Sequence, residues 1–223
     1  MSHRRRPLLL AACAAALGLM APLLLAAPPA ALAATLIQAR IDDRPARVVV
    51  DQAQRRVLVS LAGGERRLVD LLRGEVYVIG RDGAARRFRA ERLAAIPAAF
   101  RLDPWGPGPF TAGYPTTYHV VRAGERICAE VLVSRWRDDF MADAIRALDL
   151  LQRADAAAGR GAGANADLCA EPPFAAYAAA GWPVMAGLID RALFETVSIE
   201  FGYAPPQGEL ALPTRFKDAA TDA

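Results

Sequence analysis

Short apolar runs separated by turn residues fill the chain between residues 36 and 88. Four of the runs read ARVVVD, RRVLVSL, ERRLVDLL and EVYVIG, and turn residues such as Gly63-Gly64 and Asp82-Gly83 divide them. Runs of valine, leucine and isoleucine between such turns are typical of β-strands. Paired glycines and Asp-Gly permit the positive φ angles of tight hairpins. The pattern therefore predicts an antiparallel β-meander.

Several of the predicted strands are apolar on both faces. Successive side chains of a strand point to opposite faces, and in RRVLVSL Val57, Val59 and Leu61 alternate with Leu58. In EVYVIG an apolar residue occupies every position from 76 to 79. An antiparallel sheet with one wet face carries polar residues on that face. We therefore expect a helix, a curl of the sheet or a ligand to cover the second face.

The middle of the chain predicts a loop followed by a hairpin. The segment DPWGPGPFTAGYP, with four prolines and three glycines, predicts a loop rather than regular structure, with Trp105 and Phe110 exposed. The next segment, TTYHVVRAGERICAEVLVSRW, predicts two strands around Ala123-Gly124-Glu125. Residues 91–100 predict a short helix that Pro97 interrupts.

Residues 138–157 predict the main helix. Asp138 is a suitable N-cap, and apolar residues recur at the i, i+3, i+4 spacing along one side. The polar side mixes both charges, which favours a core-facing helix over one that lies on a membrane surface. Further along, residues 173–180 predict a short helix, and ETVSIEFG and GELALP predict the last strands, with Leu210 and Leu212 on one face. Residues 218–223 predict a loose tail.

The first residues have the pattern of an export signal. Arg4, Arg5 and Arg6 precede an apolar run over residues 8–27, and residues 31–33 form an A-x-A cleavage site. An N-terminal membrane anchor is the alternative, since the run is just long enough to span a bilayer. Residues 10–13, LAAC, have the shape of a lipoprotein acylation site, but the apolar segment before Cys13 is too short for one. We predict a cleaved signal peptide over residues 1–33, a periplasmic protein with no transmembrane span after cleavage, and no anchoring at Cys13.

Removing the signal peptide balances the charge. The whole chain has 27 basic and 24 acidic residues, and residues 1–33 contain three arginines and no acidic residue, which leaves 24 of each. Nucleic-acid binding depends on surplus cationic charge, so we expect no nucleic-acid partner. The remaining chain suits one domain, which we place at residues 34–217.

Two cysteines remain in the mature chain, Cys128 and Cys169. An even pair in an oxidising compartment favours a disulfide, and two separate thiols are the alternative. The spacing excludes a C-x-x-C redox motif, and two cysteines with one histidine make a poor zinc site. We therefore expect no metal and no cofactor.

Catalytic motifs are absent from the mature sequence, which has no G-x-S-x-G, no H-E-x-x-H and no glycine-rich phosphate loop. Its one histidine, His119, lies in the first strand of the predicted hairpin, with Glu130 and Ser134 in the second. A catalytic histidine needs a nucleophile or a carboxylate within hydrogen-bond reach. We expect His119 to be a strand residue satisfied by a neighbour or by water. The sequence thus predicts no catalytic residue, with a secreted hydrolase as the alternative.

The motifs GYPTTYHV and LPTRF, together with the order of elements, resemble a family of small bacterial periplasmic domains of unknown function. The residues that carry the resemblance are Gly113, Tyr114, Thr117, Tyr118, Val120, Trp136, Leu212, Pro213 and Phe216. That family is similar to the half-barrel fold of the lipoprotein carrier proteins, in which a curved sheet wraps helices and holds an acyl chain. The resemblance spans most of residues 36–217. It implies an α+β fold: a curved antiparallel β-sheet (half-barrel) with one or two helices packed on its concave face.

Two functional hypotheses follow. In the first, a non-catalytic periplasmic binding protein holds an apolar ligand, such as a lipid or a lipidated protein, in its curved sheet. The lining would be Val57, Val59, Leu61, Val76, Val78, Trp105, Tyr118 and Val120. In the second, the helix at residues 138–157 fills the concavity. The protein then acts as an envelope structural or interaction protein, through an exposed edge strand or the loop around Trp105.

Overall fold

The computed structural model describes residues 34–93, 100–135, 139–159, 169, 174–177, 180–187 and 192–219. The predicted signal peptide, Cys13, Pro97, Trp136 and Asp138 therefore lie outside the described residues. Among the described residues, no helix is both long and apolar enough to cross a membrane.

In the part of the chain that the structure describes, twelve strands form one sheet and one α-helix packs against it. The strands are β1 (Ala34–Ile41), β2 (Arg44–Asp51), β3 (Arg56–Leu61), β4 (Arg66–Asp70), β5 (Glu75–Ile79), β6 (Ala85–Arg89), β7 (Phe100–Pro107), β8 (Thr117–Ala123), β9 (Arg126–Ser134), β10 (Trp182–Gly187), β11 (Ala192–Tyr203) and β12 (Lys217–Asp218). The helix, α1, spans Asp139–Ala157. The spatial order is β12-β6-β5-β4-β3-β2-β1-β11-β10-β9-β8-β7. Among the described strand pairs, only β12–β6 is parallel. No described pairing joins β7 to β12, so the sheet is open.

The sheet consists of two runs of strands that meet at one long-range pairing. Strands β1 to β6 form the predicted meander, and positive φ angles at Gly63, Gly64 and Gly83 make its tight turns. Strands β7 to β9 pair in sequence, and β10 and β11 complete the second run. The two runs join where β1 pairs with β11 along its whole length, from Ala34 to Ile41.

The helix α1 lies on the concave face of the curved sheet. Consecutive helix residues are about 100° apart, and the buried side chains of α1 cover more than half of its circumference, whereas a surface helix buries a stripe of about 100°. They are Phe140, Met141, Ala144, Ile145, Ala147, Leu148, Leu150, Leu151 and Ala154. One apolar core joins them to side chains from both runs of strands. The predicted fold class, α+β with a curved antiparallel sheet and a packed helix, is confirmed.

The chain's own C-terminal segment covers the second apolar face of the meander. Leu210 packs into a separate core on the outer face with side chains that include Leu58, Leu68 and Tyr77. Arg56 and Arg66 extend from the sheet and donate hydrogen bonds to the carbonyls of residues 210 and 209, at 3.2 and 2.6 Å. The second apolar face predicted from the sequence is therefore covered by the C-terminal segment, and not by a helix or a ligand. We call residues 204–219 the strap.

The predicted strand GELALP was wrong. Residues 207–210 form a turn and residues 211–216 have no regular structure. Gly208 has a positive φ of 82°, and Pro213 has no backbone N–H to donate to a ladder. The segment therefore crosses the face of the meander instead of joining an edge, although Leu210 and Leu212 both pack on the outer core as the pattern predicted.

The end of the strap is also more ordered than the predicted tail. Lys217 and Asp218 pair in parallel with Arg86 and Arg87 of β6. Asp218 accepts a 2.7 Å hydrogen bond from the Arg87 guanidinium, which lowers the pKa of this carboxyl. The same guanidinium lies 4.3 Å from the ring centroid of Phe216, within cation–π range. Residues 220–223 lie outside the described residues.

The other local predictions had mixed outcomes. The main helix is confirmed, and residues 173–180 contain a 3-10 helix at Phe174–Tyr177. The predicted loop from residue 103 was wrong at its start, because Phe100–Pro107 forms β7. An edge strand tolerates proline because one side of its backbone needs no partner, and β7 is an edge. Residues 91–100 contain the end of a 3-10 helix, Ala90–Arg92, and the first residue of β7, and residues 94–99 are not described.

We expect Leu210→Ala to destabilise the protein by about 2–3 kcal/mol, because the side chain is buried and its removal leaves a cavity against the outer face of the sheet. Leu72→Ala is the matched control, since Leu72 is 74% exposed. Urea unfolding followed by far-UV circular dichroism measures both. Equal midpoints for the two variants would show that the strap contributes little to stability.

Candidate functional site

Five of the eight residues predicted to line an apolar site lie in the core beneath α1. Val57, Val59, Leu61, Val76 and Val78 are each at most 7% exposed. They belong to the same apolar core as the buried side chains of α1. A ligand could contact them only after α1 had moved away from the sheet.

The other three predicted lining residues lie on the opposite face of the sheet. Trp105 is 66% exposed, and its ring meets that of Tyr118 edge-on at 6.4 Å. Val120 is buried on this face beside Tyr118. Burial, with a hydrogen bond and the negative charge of Glu130, raises the pKa of Tyr118 to about 12, so it stays neutral near pH 7. The eight residues therefore do not form one surface.

His119 is a buried residue of β8 on the helix-facing side. Its Nδ1 lies 3.1 Å from the backbone carbonyl of Thr117 in the same strand. A neighbour therefore satisfies the ring, as the sequence predicted. Among the described residues, no group of three histidine, cysteine or acidic side chains is close enough to bind a metal.

The predicted disulfide between Cys128 and Cys169 is confirmed. The two Cα atoms are 4.5 Å apart and the sulfurs are bonded, across a sequence separation of 41 residues. Both cysteines are buried in the core that contains α1. The bond ties the chain beyond α1 to strand β9.

The sheet has an opening between β9 and β11, where β10 is paired on one side only. Strand β10 pairs with β9 from Trp182 to Gly187, but it pairs with β11 only from Met185 to Gly187. Strand β11 itself continues along β1 to Tyr203. Beyond residue 195, β11 therefore has no described strand neighbour on its β10 side. We call this opening the notch.

Pro183 explains where β10 leaves β11. A proline has no N–H to contribute to a ladder, and the pairing to β11 begins two residues after it. A side-chain bond replaces the missing ladder: the indole Nε1 of Trp182 donates to the Thr196 hydroxyl at 2.9 Å. Trp182 is fully buried, edge-on to Phe194 at 5.6 Å. These side-chain contacts join β10 to β11 at the base of the notch.

Gly181 allows β10 to start in close contact with β9. Its φ is 134°, and a Cβ atom here would lie 2.1 Å from the carbonyl oxygen of Ser134. No side chain fits at that distance. The glycine therefore holds the end of β9, and with it Arg135, at one side of the notch.

The loop between β7 and β8 forms another wall. Thr111 and Tyr114 exchange two backbone hydrogen bonds of 2.9 Å, and both intervening residues have positive φ, 51° at Ala112 and 86° at Gly113. This is the geometry of a type I′ turn. The Thr116 hydroxyl donates to the carbonyl of Pro109 at 2.6 Å and fixes the base of the loop. The wall is thus a hairpin extension with a defined shape.

The notch is an open pocket of about 770 Å³. It is lined by the β7–β8 loop, the end of β9 and part of β11, through residues 112–117, Ser134, Arg135, Ser198 and Ile199. Most of the lining is apolar, with hydroxyl groups and one guanidinium. That volume lies within the range of small-ligand pockets. It suits a short extended segment as well as a compact molecule.

The notch was not predicted from the sequence. Three of its lining residues, Gly113, Tyr114 and Thr117, were singled out only for the family resemblance. The local signal was Pro183, the second residue of the strand that lies between β9 and β11. Proline within a run argues for an edge or an interruption, but the partners of β10 cannot be known from the sequence alone.

Comparisons with known proteins give a distant structural likeness and no family. No protein-family model matches the sequence, and no curated protein matches it. Structures of PNGF-II in space groups C2 and P21 match with a TM-score of 0.43 and 10% identity over 84% of this chain. A crystal structure of MucB matches with a TM-score of 0.32 and 12% identity over 82% of this chain. The chain spans about a third of the length of PNGF-II, 31–32%, and 58% of MucB.

Proposed function

We propose that this chain is a non-catalytic interaction protein of the cell envelope that binds a polypeptide partner at the surface of its sheet. The observation that carries the proposal is the filled concavity. The helix α1 occupies the place where an acyl chain would lie, and the strap covers the outer face of the meander. Both large apolar faces of the meander are thus occupied by the chain itself.

The uncovered apolar groups support the same proposal. Trp105 and Phe110 are 66% and 73% exposed near β7, which is an edge of the sheet. Val197 is 53% exposed on β11 beside the notch. Exposed aromatic side chains and open strand edges are features of protein-binding surfaces. The disulfide supports an envelope location, because such bonds persist in oxidising compartments.

Native mass spectrometry of the purified protein tests the proposal against the lipid-binding alternative. We expect the mass of the polypeptide alone, and no lipid in an organic-solvent extract. A stoichiometric co-purified lipid would overturn the proposal, because α1 would then have to leave the concavity.

A hydrolase assay with the His119→Ala variant tests the non-catalytic part of the proposal. We propose that the protein has no hydrolase activity, so hydrolysis of generic ester and peptide substrates by the purified protein should equal the blank. Turnover that His119→Ala abolishes, without loss of folding, would contradict this part of the proposal.

A further inference from the structure

We infer that the notch binds an extended peptide, which adds as a strand to the open side of β11 and places a carboxylate at Arg135. The inference rests on the proposed function and names the surface and the chemistry of the partner.

The first observation is the strand edge. Strand β11 runs along β1 to Tyr203, yet within the described part of the chain β10 pairs with it only as far as Glu195. The N–H and C=O groups of one residue point to the same side of a strand, and those of the next residue point to the other side. Part of the backbone between residues 197 and 200 therefore points into the notch. Unpaired strand edges are templates for another strand, and proteins normally block them.

The second observation is that the edge is held open. Where the backbone ladder between β10 and β11 stops, the Trp182–Thr196 side-chain hydrogen bond links the two strands at the base of the notch. On the other side, the absence of a side chain at Gly181 allows β10 to lie close to the backbone of β9. The type I′ turn at residues 111–114 gives the facing wall a fixed shape. A preformed slot costs less to occupy than one that must open first.

The third observation is the chemistry of the lining. Ile199, Tyr114 and Pro115 offer apolar contact, and Thr117 and Ser198 offer hydroxyl groups. Arg135 is exposed at the wall of the cavity, and among the described residues no carboxylate pairs with it. A guanidinium there is complementary to a carboxylate. The combination fits alternating apolar and polar side chains with a carboxylate at one end.

A synthetic peptide tests the inference directly. The probe is a fluorescein-labelled octapeptide of alternating threonine and valine with a free C-terminal carboxylate, and its C-terminal amide is the matched ligand. Fluorescence anisotropy with the full purified chain should show saturable binding of the acid. Loss of one charge-assisted contact should weaken the binding of the amide about tenfold.

Two arginine variants separate a specific contact from general attraction. Arg135→Gln should weaken binding of the acid peptide about tenfold and remove its advantage over the amide. Arg146→Gln is the control, because Arg146 is exposed on α1 away from the notch lining, and it should bind like the parent. Equal losses in both variants would overturn the role of Arg135.

Hydrogen exchange distinguishes strand addition from docking by side chains alone. With the peptide bound, backbone amides within residues 197–200 should exchange more slowly, while those of β3 should not change. Binding without protection in β11 would overturn the inference but leave the proposed function standing. Lack of saturable binding up to about 1 mM, the limit of weak recognition, would also overturn it. The proposed function itself would be defeated by different results, namely co-purified lipid or turnover that His119→Ala abolishes.

Discussion

Replacing both cysteines, in Cys128→Ala with Cys169→Ala, should lower the free energy of unfolding by about 4 kcal/mol. The disulfide closes a loop with a sequence separation of 41 residues, and the entropy that such a cross-link removes from the unfolded chain corresponds to that value. The loss approaches the whole stability of many domains. Urea unfolding of the parent and the double variant gives the difference in unfolding free energy.

A reductant provides the internal control. Dithiothreitol should shift the unfolding midpoint of the parent to that of the double variant, and should leave the double variant unchanged. A parent that keeps its midpoint when reduced would show that the bond constrains nothing. Because both cysteines belong to the core around α1, loss of the bond should also increase hydrogen exchange in α1.

Substituting Gly181 should have an effect of similar size. A Cβ at this position would overlap the carbonyl oxygen of Ser134 at 2.1 Å, and the φ of 134° is strained for any residue with a side chain. Backbone strain and overpacking each cost about 1–3 kcal/mol. We expect Gly181→Ala to destabilise the protein by roughly 3–5 kcal/mol and to displace β10 from β9.

Gly83→Ala is the matched control for the clash. Gly83 also has a positive φ, 77°, but nothing lies within 4 Å of a Cβ built there. It should therefore show only the cost of the backbone conformation, about 1 kcal/mol. Thermal unfolding of the two variants isolates the steric contribution. Equal midpoints would mean that β9 and β10 can separate without loss, and the notch would then have no fixed width.

The elements set by local patterns could be predicted from the sequence. Alternation and glycine turns gave the meander, the i, i+3, i+4 spacing gave α1, and the cysteine pair gave the disulfide. Apolar character on both faces also showed that a second cover was needed. The strands, turns and helix depend on residues close together in the sequence. The disulfide could be predicted because the mature chain has only two cysteines, which allow a single pairing.

The features set by distant partners could not be predicted. Leu210 and Leu212 alternate like strand residues, but no edge is available beside them, and they become part of the strap. Prolines in the segment of β7 argue for a loop until its place at the edge of the sheet is known. The notch depends on which strands flank β10, and this information is absent from the local sequence.

The pairing of β1 with β11 has a consequence for how the protein is made. Arg40 and Glu195, which form an ion pair across this seam, are 155 residues apart in the chain. During synthesis β1 therefore has only β2 as a neighbour until β11, about 155 residues later in the chain, has been made. Folding limited by such distant contacts is slow. Until β11 is made, the exposed edge of β1 can pair with another chain and aggregate. A chaperone that binds this edge during synthesis would prevent such pairing.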